Sequence, residues 1–441
     1  MSHTEPLATD RTLDTPIHHI MILGLGICGP LAALALLQRA LVPTITIYEL
    51  GPEPTTIGSA LDISPNAHRL LDQLGVSPLS FAGATPSVLF QNPQGARIGV
   101  FRYGGEWDPY ARGAIGMRVL RSDLLQGLLR AMEKYEKEGR LKIVYGKRAE
   151  HIEEDQDGVC ITFEDGEVAK GDLVIGADGI HSFTRRQLYA ETNDVVPRAV
   201  YSGVTTIYGV VPSSKITRSL LEPLSHHQSI RTISPHQGLF AISYATASHS
   251  HIHWFSSRTP REPPSAEEPE PDPESVRESL LQMYGKHPAP IPDLIQATDE
   301  IYYWPVFRLA PLPDKWYSPN GRIVLVGDAA YAMPPHAAQG VGMGLEDSVL
   351  VARIVAALEQ RAREVANLYQ AKRVGRVHRF VKHAESQGRA RKDLGWWVGI
   401  TREWWMWIVF PLINFFGLIG VYDIQGWGYD PDTEIIKLDG L

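Results

Sequence analysis

Residues 20–37 read Ile-Met-Ile-Leu-Gly-Leu-Gly-Ile-Cys-Gly-Pro-Leu-Ala-Ala-Leu-Ala-Leu-Leu, two apolar runs joined by a glycine-rich turn. The first run is typical of a buried strand, and the second is typical of a helix. Glycines at positions 24, 26 and 29 let the backbone approach a pyrophosphate, whose negative charge is stabilised at the helix N-terminus. The stretch therefore predicts a dinucleotide-binding strand, turn and helix in which Gly24, Gly26 and Gly29 contact the ligand.

A second apolar run, residues 44–48, ends at Glu49, which follows Gly24 by 25 residues. An acid at the end of this strand accepts hydrogen bonds from an adenosine ribose and disfavours a 2′-phosphate. The pattern favours FAD or NAD over NADP at this first site.

The composition is that of an ordinary globular protein of 441 residues, 44% hydrophobic and 21% charged, long enough for two or three domains. A net charge of −8 without a long basic tract argues against a nucleic-acid partner. Two cysteines, Cys28 and Cys160, are too few for a disulfide framework and lack metal-ligand spacing. We therefore expect a cytoplasmic protein without a metal site.

Two more glycine turns follow short apolar runs much later in the chain. Gly176-Ala177-Asp178-Gly179 follows residues 172–175, and Gly327-Asp328 follows residues 322–326. Both turns have the strand-then-glycine order of the first motif. Together the three motifs predict one nucleotide site assembled from distant parts of the chain.

These motifs resemble those of the single-component FAD-dependent aromatic monooxygenases, which include p-hydroxybenzoate and salicylate hydroxylases and tetracycline-modifying enzymes. The resemblance covers residues 18–385 and is most specific over residues 171–185, 321–335 and 339–347. It implies an enzyme that binds FAD, takes electrons from NADH or NADPH, and forms a flavin C4a-hydroperoxide with O2. The hydroperoxide would hydroxylate or epoxidise a hydrophobic small molecule, either aromatic or polyketide- or terpenoid-like.

The fold expected from the resemblance is α/β, with a Rossmann-like FAD-binding domain interrupted along the chain. Residues 201–211, 228–233, 239–244 and 251–255 are rich in β-branched and aromatic residues, which indicates an inserted antiparallel sheet. The expected divisions are a disordered leader (1–17), the first FAD-binding part (18–194), a substrate-binding sheet with an acidic, proline-rich loop at 259–274 (195–303), the returning FAD-binding part (304–390) and a helical, Trp-rich apolar tail (391–441).

Several cofactor contacts carry over from the family to matching positions. Glu49 would bind the ribose and Asp328 the ribose or ribityl hydroxyls of FAD. Arg121, which begins a helix predicted to reach about Glu138, would neutralise a phosphate or hold the flavin from the side. A capping or surface arginine is the alternative. Main-chain amides would stabilise negative charge at the flavin N1/O2 edge, and these belong to Gly340, Val341 and Gly342.

Three further cofactor contacts have open alternatives. Asp178 and Arg185 would brace the FAD and the approach of the reduced nicotinamide, although Asp178 could simply cap its turn. Asp62 matches an acid that some tetracycline-modifying relatives place near the flavin, and a solvated loop acid is the alternative.

Candidates for catalysis come from the same resemblance. Pro335 would face the isoalloxazine, and the adjacent His336 is a substrate contact or a structural histidine. Tyr208 stands where many fungal relatives have an arginine, so it is a substrate-facing donor or a core aromatic residue. A general base among the histidines of the sheet region is also open. His251 and His253 share one strand face, but no third metal ligand lies nearby.

The segment 404–422 carries no charge and has almost the length of a membrane span. Pro411 and Asn414 argue against an uninterrupted span, so we expect the segment to pack over the site, with membrane contact as the alternative. Two other functions stay open, namely an oxidase or dehydrogenase on the same fold and a non-catalytic, membrane-associated flavoprotein.

Overall fold

The computed structural model describes residues 17–39, 44–55, 58–106, 108–190, 194–234, 238–258, 271–310, 312–335, 338–358, 361–390, 408–409 and 426–436. Residues 1–16 of the expected leader, His336, residues 259–270 of the acidic loop and almost all of segment 404–422 lie outside the described residues. Ile17, the last residue of the expected leader, is buried in the core.

In the described residues, runs of strands are separated by one or two α-helices, and three α-helices follow the last strand. The strands are β1 (His19–Leu23), β2 (Thr44–Tyr48), β3 (Ala60–Ile63), β4 (Gly83–Ala84), β5 (Ser87–Gln91), β6 (Arg97–Arg102), β7 (Met117–Leu120), β8 (Leu141–Val144), β9 (Ala149–Glu154), β10 (Val159–Phe163), β11 (Val168–Gly171), β12 (Leu173–Gly176), β13 (Arg198–Pro212), β14 (Ser229–Ser234), β15 (Gly238–Tyr244), β16 (His251–Arg258), β17 (Tyr302–Ala310) and β18 (Ile323–Leu325). The helices are α1 (Cys28–Arg39), α2 (Pro65–Gln73), α3 (Arg121–Lys137), α4 (Phe183–Ala190), α5 (Glu222–His227), α6 (Pro273–Tyr284), α7 (Ile291–Ala297), α8 (Asp328–Tyr331), α9 (Gly340–Leu358) and α10 (Ala362–Ala390). Helix α6 begins at Pro273, so the last two residues of the expected acidic loop are helical, with the Asp272 side chain accepting a hydrogen bond from the Ser275 amide.

A five-stranded parallel sheet of order β18-β12-β1-β2-β8 forms the nucleotide-binding half. Its central strands are buried, because α1 packs against β1 and β2 and the three-stranded sheet β11-β10-β9 also covers them, with the Tyr48 ring of β2 lying 4.7 Å from the Phe163 ring of β10. This burial explains their unbroken apolar runs. The register places Leu23 beside Gly176 and Gly176 beside Leu325. Three strands therefore end at one edge of the sheet, and the three glycine turns that follow them meet there.

A seven-stranded, largely antiparallel sheet has the order β17-β13-β16-β15-β14-β5-β6. It is wider than the sequence pattern indicates, because β14 pairs in parallel with β5 from far upstream. One face packs against α6 and α7 around the buried Trp254 and Tyr284. The opposite face, called the site face below, carries one cross-strand row: Tyr208, Phe255, Ala241, Arg231 and Phe90.

Helices α9 and α10 are joined by ion pairs between buried side chains. Arg373 donates through Nε to Asp347 Oδ1 at 2.6 Å and through Nη1 to Glu346 Oε2 at 2.7 Å. Arg376 donates to both oxygens of Glu346, each at 2.7 Å. Burial alone would raise the pKa of Glu346, but the two arginines lower it on balance. The cluster is balanced, with two acids and two bases.

The uncharged segment 404–422 has almost the length of a membrane span. Within the described ranges, no helix combines the length and the hydrophobicity needed to cross a bilayer. Of segment 404–422, the structure describes only Ile408 and Val409.

Replacing Arg373 with methionine should destabilise the fold strongly. The change removes the ion pairs of Arg373 with Asp347 and with Glu346, while Glu346 keeps its pair with Arg376. Breaking a buried ion pair by removing one partner costs about 3–5 kcal/mol of unfolding free energy. Urea unfolding of the variant should show this loss of unfolding free energy. Arg379, exposed on the same helix, provides the control, since Arg379→Met should change stability by less than about 0.5 kcal/mol. Similar values for the two variants would contradict the prediction.

Candidate active site

The first glycine turn is closed by contacts that only glycine allows. Gly24 has φ of +105°, and a Cβ there would lie 2.7 Å from the carbonyl oxygen of Ala177 in the second glycine turn. A Cβ on Gly29 would lie 1.9 Å from the Gly24 carbonyl oxygen. The two turns therefore touch through their backbones, which leaves main-chain groups free of side-chain cover at the N-terminus of α1.

The third glycine turn meets the first through Cys28. A Cβ on either Gly327 or Gly344 would lie 2.5 Å from the Cys28 sulfur. The thiol therefore fits between these two residues only because neither has a side chain. The amide of Asp328 lies within hydrogen-bonding reach of the same thiol. Asp328 is thus adjacent to the opening turn, where the sequence motifs predict it.

The setting of Asp328 is that of a crevice. The residue is exposed, yet it lies so deep among protein atoms that desolvation raises the pKa of its carboxyl group. An acid that is surrounded by protein but open to solvent lines a cleft rather than a flat surface. This is the setting required for a carboxylate that would accept hydrogen bonds from ribose or ribityl hydroxyls.

Glu49 and Arg121 flank the first turn. Glu49 Oε2 accepts from the Leu25 amide at 2.7 Å and Oε1 from the Gly51 amide at 2.8 Å, so the carboxylate fixes the turn and keeps lone pairs for a ribose. Arg121 Nη2 lies 3.8 Å from the Cβ position of Gly26. Burial lowers the pKa of Arg121, and the charge of Glu49 opposes this shift. The guanidinium is therefore placed beside the predicted pyrophosphate position.

The N-terminus of α9 reaches the same region. Gly340 is exposed, and Val341 and Gly342 are buried in the first turn of this helix. A Cβ on Gly342 would lie 2.9 Å from Gln339 Oε1 and 3.0 Å from Ser64 Oγ. Free amides at the start of a long helix stabilise negative charge, which is the property predicted for the flavin N1/O2 edge.

Asp178 and Arg185 act on the protein itself in this structure. Asp178 accepts from Ser182 Oγ at 2.5 Å and from the Thr184 amide at 2.9 Å, the capping role named as its alternative. Arg185 is buried, and its guanidinium donates to the carbonyl oxygens of Ala329, Ile180 and Pro197. These hydrogen bonds hold the second glycine turn to α8, and the expected role of both residues beside FAD and the reduced nicotinamide stays a prediction.

Asp62 also has a partner other than a cofactor. Its Oδ1 lies 3.2 Å from Arg118 Nη2, opposite it on the paired strands β3 and β7. The Arg118 guanidinium lies 5.4 Å above the Phe255 ring, over the site face. Asp62 is therefore held beside the site face by Arg118, and its expected place near the flavin stays a prediction.

A second arginine, Arg231, lies in the same row of the site face. Its guanidinium is 5.9 Å from the Phe90 ring centroid, and its positive charge contributes to lowering the pKa of Arg118, mainly a result of burial. The buried Nε atoms of Arg118 and Arg231 have no hydrogen-bond partner among the residues described. The guanidinium groups of Arg118 and Arg231 carry two positive charges, and the carboxylate of Asp62 offsets one of them. This part of the site face therefore has a net positive charge.

His253 is the histidine that the site face places next to these charges. It is 1% exposed, and its Nε2 and Ser59 Oγ are 2.8 Å apart. Its Nδ1 is buried without a partner in the described part of the chain. Burial, reinforced by Arg118, lowers the pKa of His253 well below its usual range, so the imidazole is neutral at physiological pH.

Tyr208 lies in the same row, 6.1 Å from the His253 ring, and stacks on Tyr302 at 5.0 Å. Burial raises its pKa to about 12, so it stays a neutral phenol.

Pro335 is exposed at the end of the loop after α8. Sequence reasoning gave no role to Ser59, Arg118 or Arg231. The available signal for Arg118 was a charged residue between the apolar residues Met117 and Val119.

The residues present fit a bound FAD. Glycines occupy the positions where a Cβ would collide with backbone, an acid ends β2, and an arginine lies over the turn. A second acid, Asp328, and a helix N-terminus with free amides complete the cradle. These groups match a diphosphate, two sets of hydroxyls and an electron-rich ring edge.

Gly29→Ala should abolish FAD binding. The new methyl group would overlap the Gly24 carbonyl oxygen at 1.9 Å, so the turn must open. Flavin absorbance of the purified protein should fall from stoichiometric to near zero. Gly375→Ala is the control, because a Cβ there meets nothing within 4 Å and Gly375 lies within α10. Full FAD content in Gly29→Ala would refute the placement of the cofactor.

Comparisons with known proteins agree with this fit. A family model described as FAD binding domain matches residues 18–384. The chain is 28% identical over 387 residues to 6-hydroxynicotinate 3-monooxygenase of Bordetella bronchiseptica, covering 86% of this chain and 94% of the relative.

Two solved structures share the fold. Klebsiella pneumoniae HpxO complexed with FAD and uric acid aligns with a TM-score of 0.72 at 22% identity, covering 88% of this chain and 92% of that chain. A salicylate hydroxylase substrate complex aligns with a TM-score of 0.72 at 20% identity, covering 95% and 97%. The chain belongs to the FAD binding domain family and is an FAD-dependent monooxygenase.

Proposed function

We propose that this monooxygenase hydroxylates a small aromatic molecule that carries an acidic group, with NADH or NADPH as the reductant. When bound, FAD would supply the redox chemistry, by which two electrons from the nicotinamide and O2 would give one oxygen atom to the substrate and one to water. The flavin hydroperoxide expected from the family resemblance stays a prediction. The named relatives support the substrate class, since 6-hydroxynicotinate and uric acid are planar and acidic.

The observation that carries the proposal is the charge of the site face. Arg118 and Arg231 lie over aromatic rings, and Asp62 is the one carboxylate paired with Arg118 among the described residues. A guanidinium stays protonated even when burial lowers its pKa. The surplus positive charge in a partly desolvated site attracts a carboxylate or phenolate more strongly than it would in water. An aromatic acid would therefore bind with its ring on the site face and its anionic group at Arg231.

Two neutral groups would orient the substrate hydroxyl. His253 holds its imidazole through Ser59, so its free Nδ1 is the atom that would share a proton with a ring hydroxyl. Tyr208 keeps its proton at physiological pH and would donate a hydrogen bond from the same row. A phenol held between these groups is activated toward an electrophilic oxygen, because partial deprotonation increases the electron density of the ring.

The proposal predicts a measurable oxygen transfer. The purified yellow protein should oxidise NADH or NADPH faster when 6-hydroxynicotinate or 3-hydroxybenzoate is present. With ¹⁸O₂, the product should gain one labelled oxygen atom, detected by mass spectrometry. A product oxidised without label would instead support an oxidase or dehydrogenase. If no aromatic hydroxy acid accelerates reductant oxidation, the proposed substrate class is wrong.

Arg231→Gln should remove the preference for an acid. The wild type should bind 6-hydroxynicotinate at least about tenfold more tightly than 6-hydroxynicotinamide, since a charged hydrogen bond contributes about 1.5–3 kcal/mol. The variant should bind both compounds with similar affinity, measured from the change in flavin absorbance.

The control for this prediction is Arg218→Gln, which changes an exposed arginine of the same half of the molecule. Its ratio of acid to amide affinity should equal that of the wild type. An unchanged ratio in Arg231→Gln would contradict the assignment of the anion site.

A further inference from the structure

Residues 426–436, called the C-terminal strap below, are bound to the protein by an unusual number of cations. Asp432 pairs with Arg39 of α1 at 3.1 Å, and Asp430 pairs with Arg112 at 3.1 Å. Lys372 of α10 lies 3.4 Å from Glu434. The acidic side chains of the strap are therefore neutralised from separate parts of the fold.

The strap backbone is also bound directly. Both Nη atoms of Arg69 in α2 donate to the Trp427 carbonyl oxygen at 3.1 Å. Arg376 Nη2 donates to the Gly426 carbonyl oxygen at 2.9 Å, and its guanidinium lies 4.3 Å from the Tyr429 ring. Arg376 also belongs to the buried charge cluster. The strap is thus tied to the same elements that shape the cofactor side of the site.

This anchoring places the Trp427 side chain at the edge of the site face. Trp427 is 2% exposed, and its ring lies 6.1 Å from Phe101 and 5.3 Å from Tyr103. Phe101 is directly opposite Val88, two residues before Phe90, so it shares the face that carries Arg231. The indole therefore covers the β6 end of the site face.

The same end includes Tyr103, whose ring lies 5.9 Å from the Phe101 ring. The Trp427 Nε1–H is buried and has no hydrogen-bond partner in the ranges that the structure covers. A buried indole N–H normally has an acceptor. The indole N–H at the edge of the site face is therefore available to an acceptor of a bound substrate.

We propose that the C-terminal strap forms one wall of the substrate site and that Trp427 limits substrate size and donates a hydrogen bond to an acceptor of the substrate. This proposal rests on the proposed function, because it needs an aromatic substrate on the site face. It assigns a specificity role to a segment that lies beyond the FAD-binding match at residues 18–384.

The test uses full-length holoenzyme and two probes, 3-hydroxybenzoate with one ring and 3-hydroxy-2-naphthoate with two rings. Dissociation constants come from the change in flavin absorbance. Trp427→Phe should weaken 3-hydroxybenzoate binding about tenfold with FAD content and melting temperature unchanged, as expected for one lost hydrogen bond. Trp427→Ala should shift the ratio of affinities at least about tenfold toward the two-ring acid.

Ile435→Ala serves as the control, since Ile435 is an exposed residue of the same strap, and it should bind both acids like the wild type. Wild-type affinities in both Trp427 variants would contradict the proposal that the C-terminal strap forms a wall of the substrate site, and would leave the proposed function intact. Failure of the wild type to bind either acid would contradict the proposed substrate class and, with it, the proposed role of the strap. Because Trp427→Phe retains an aromatic ring, a folding failure of Trp427→Ala would not decide the outcome alone.

Discussion

The buried carboxylates of Glu346 and Asp347 fix the geometry on which the cofactor side of the site depends. Asp347 accepts from the Gly327 amide at 2.9 Å, which fixes the third glycine turn. Glu346 accepts from Asn66 Nδ2 at 2.8 Å, which holds the start of α2 against α9. Such charges cost much desolvation energy, so their value lies in the single arrangement they permit rather than in net stability. A shifted α9 would misplace the amides at its N-terminus.

The two sides of the crevice are built from different chemical groups. The cofactor side consists mainly of backbone, because a diphosphate is bound by amides and by the close approach that Gly24 and Gly29 allow. The proposed substrate side consists of side chains, namely those of Arg118, Arg231 and His253. A chain with a net charge of −8 thus contains a locally positive face, and partial desolvation strengthens the effect of that charge.

Residues far apart in the chain meet through pairings that carry little local signal. β14 pairs with β5, and the Gln91 to Thr232 hydrogen bond joins residues 141 positions apart. This pairing places Phe90 under Arg231. The contacts of Trp427 with Phe101 and Tyr103 span more than three hundred residues. Nothing in the local sequence distinguishes Arg231 from an ordinary surface residue or Trp427 from an ordinary core residue.

The sequence by itself determined the glycine turns, the acid after β2, the helix from Arg121 and the convergence of Asp328 on the first turn. These features follow from backbone sterics and strand periodicity, which act over a few residues and recur in a fixed order. Tertiary structure alone decided that Asp178 caps its own turn, that Asp62 pairs with Arg118, and that His253 lies next to Ser59 and Tyr208. Those outcomes depend on which side chains face each other across sheets and helices, and partner choice over such distances is set by packing of the whole molecule.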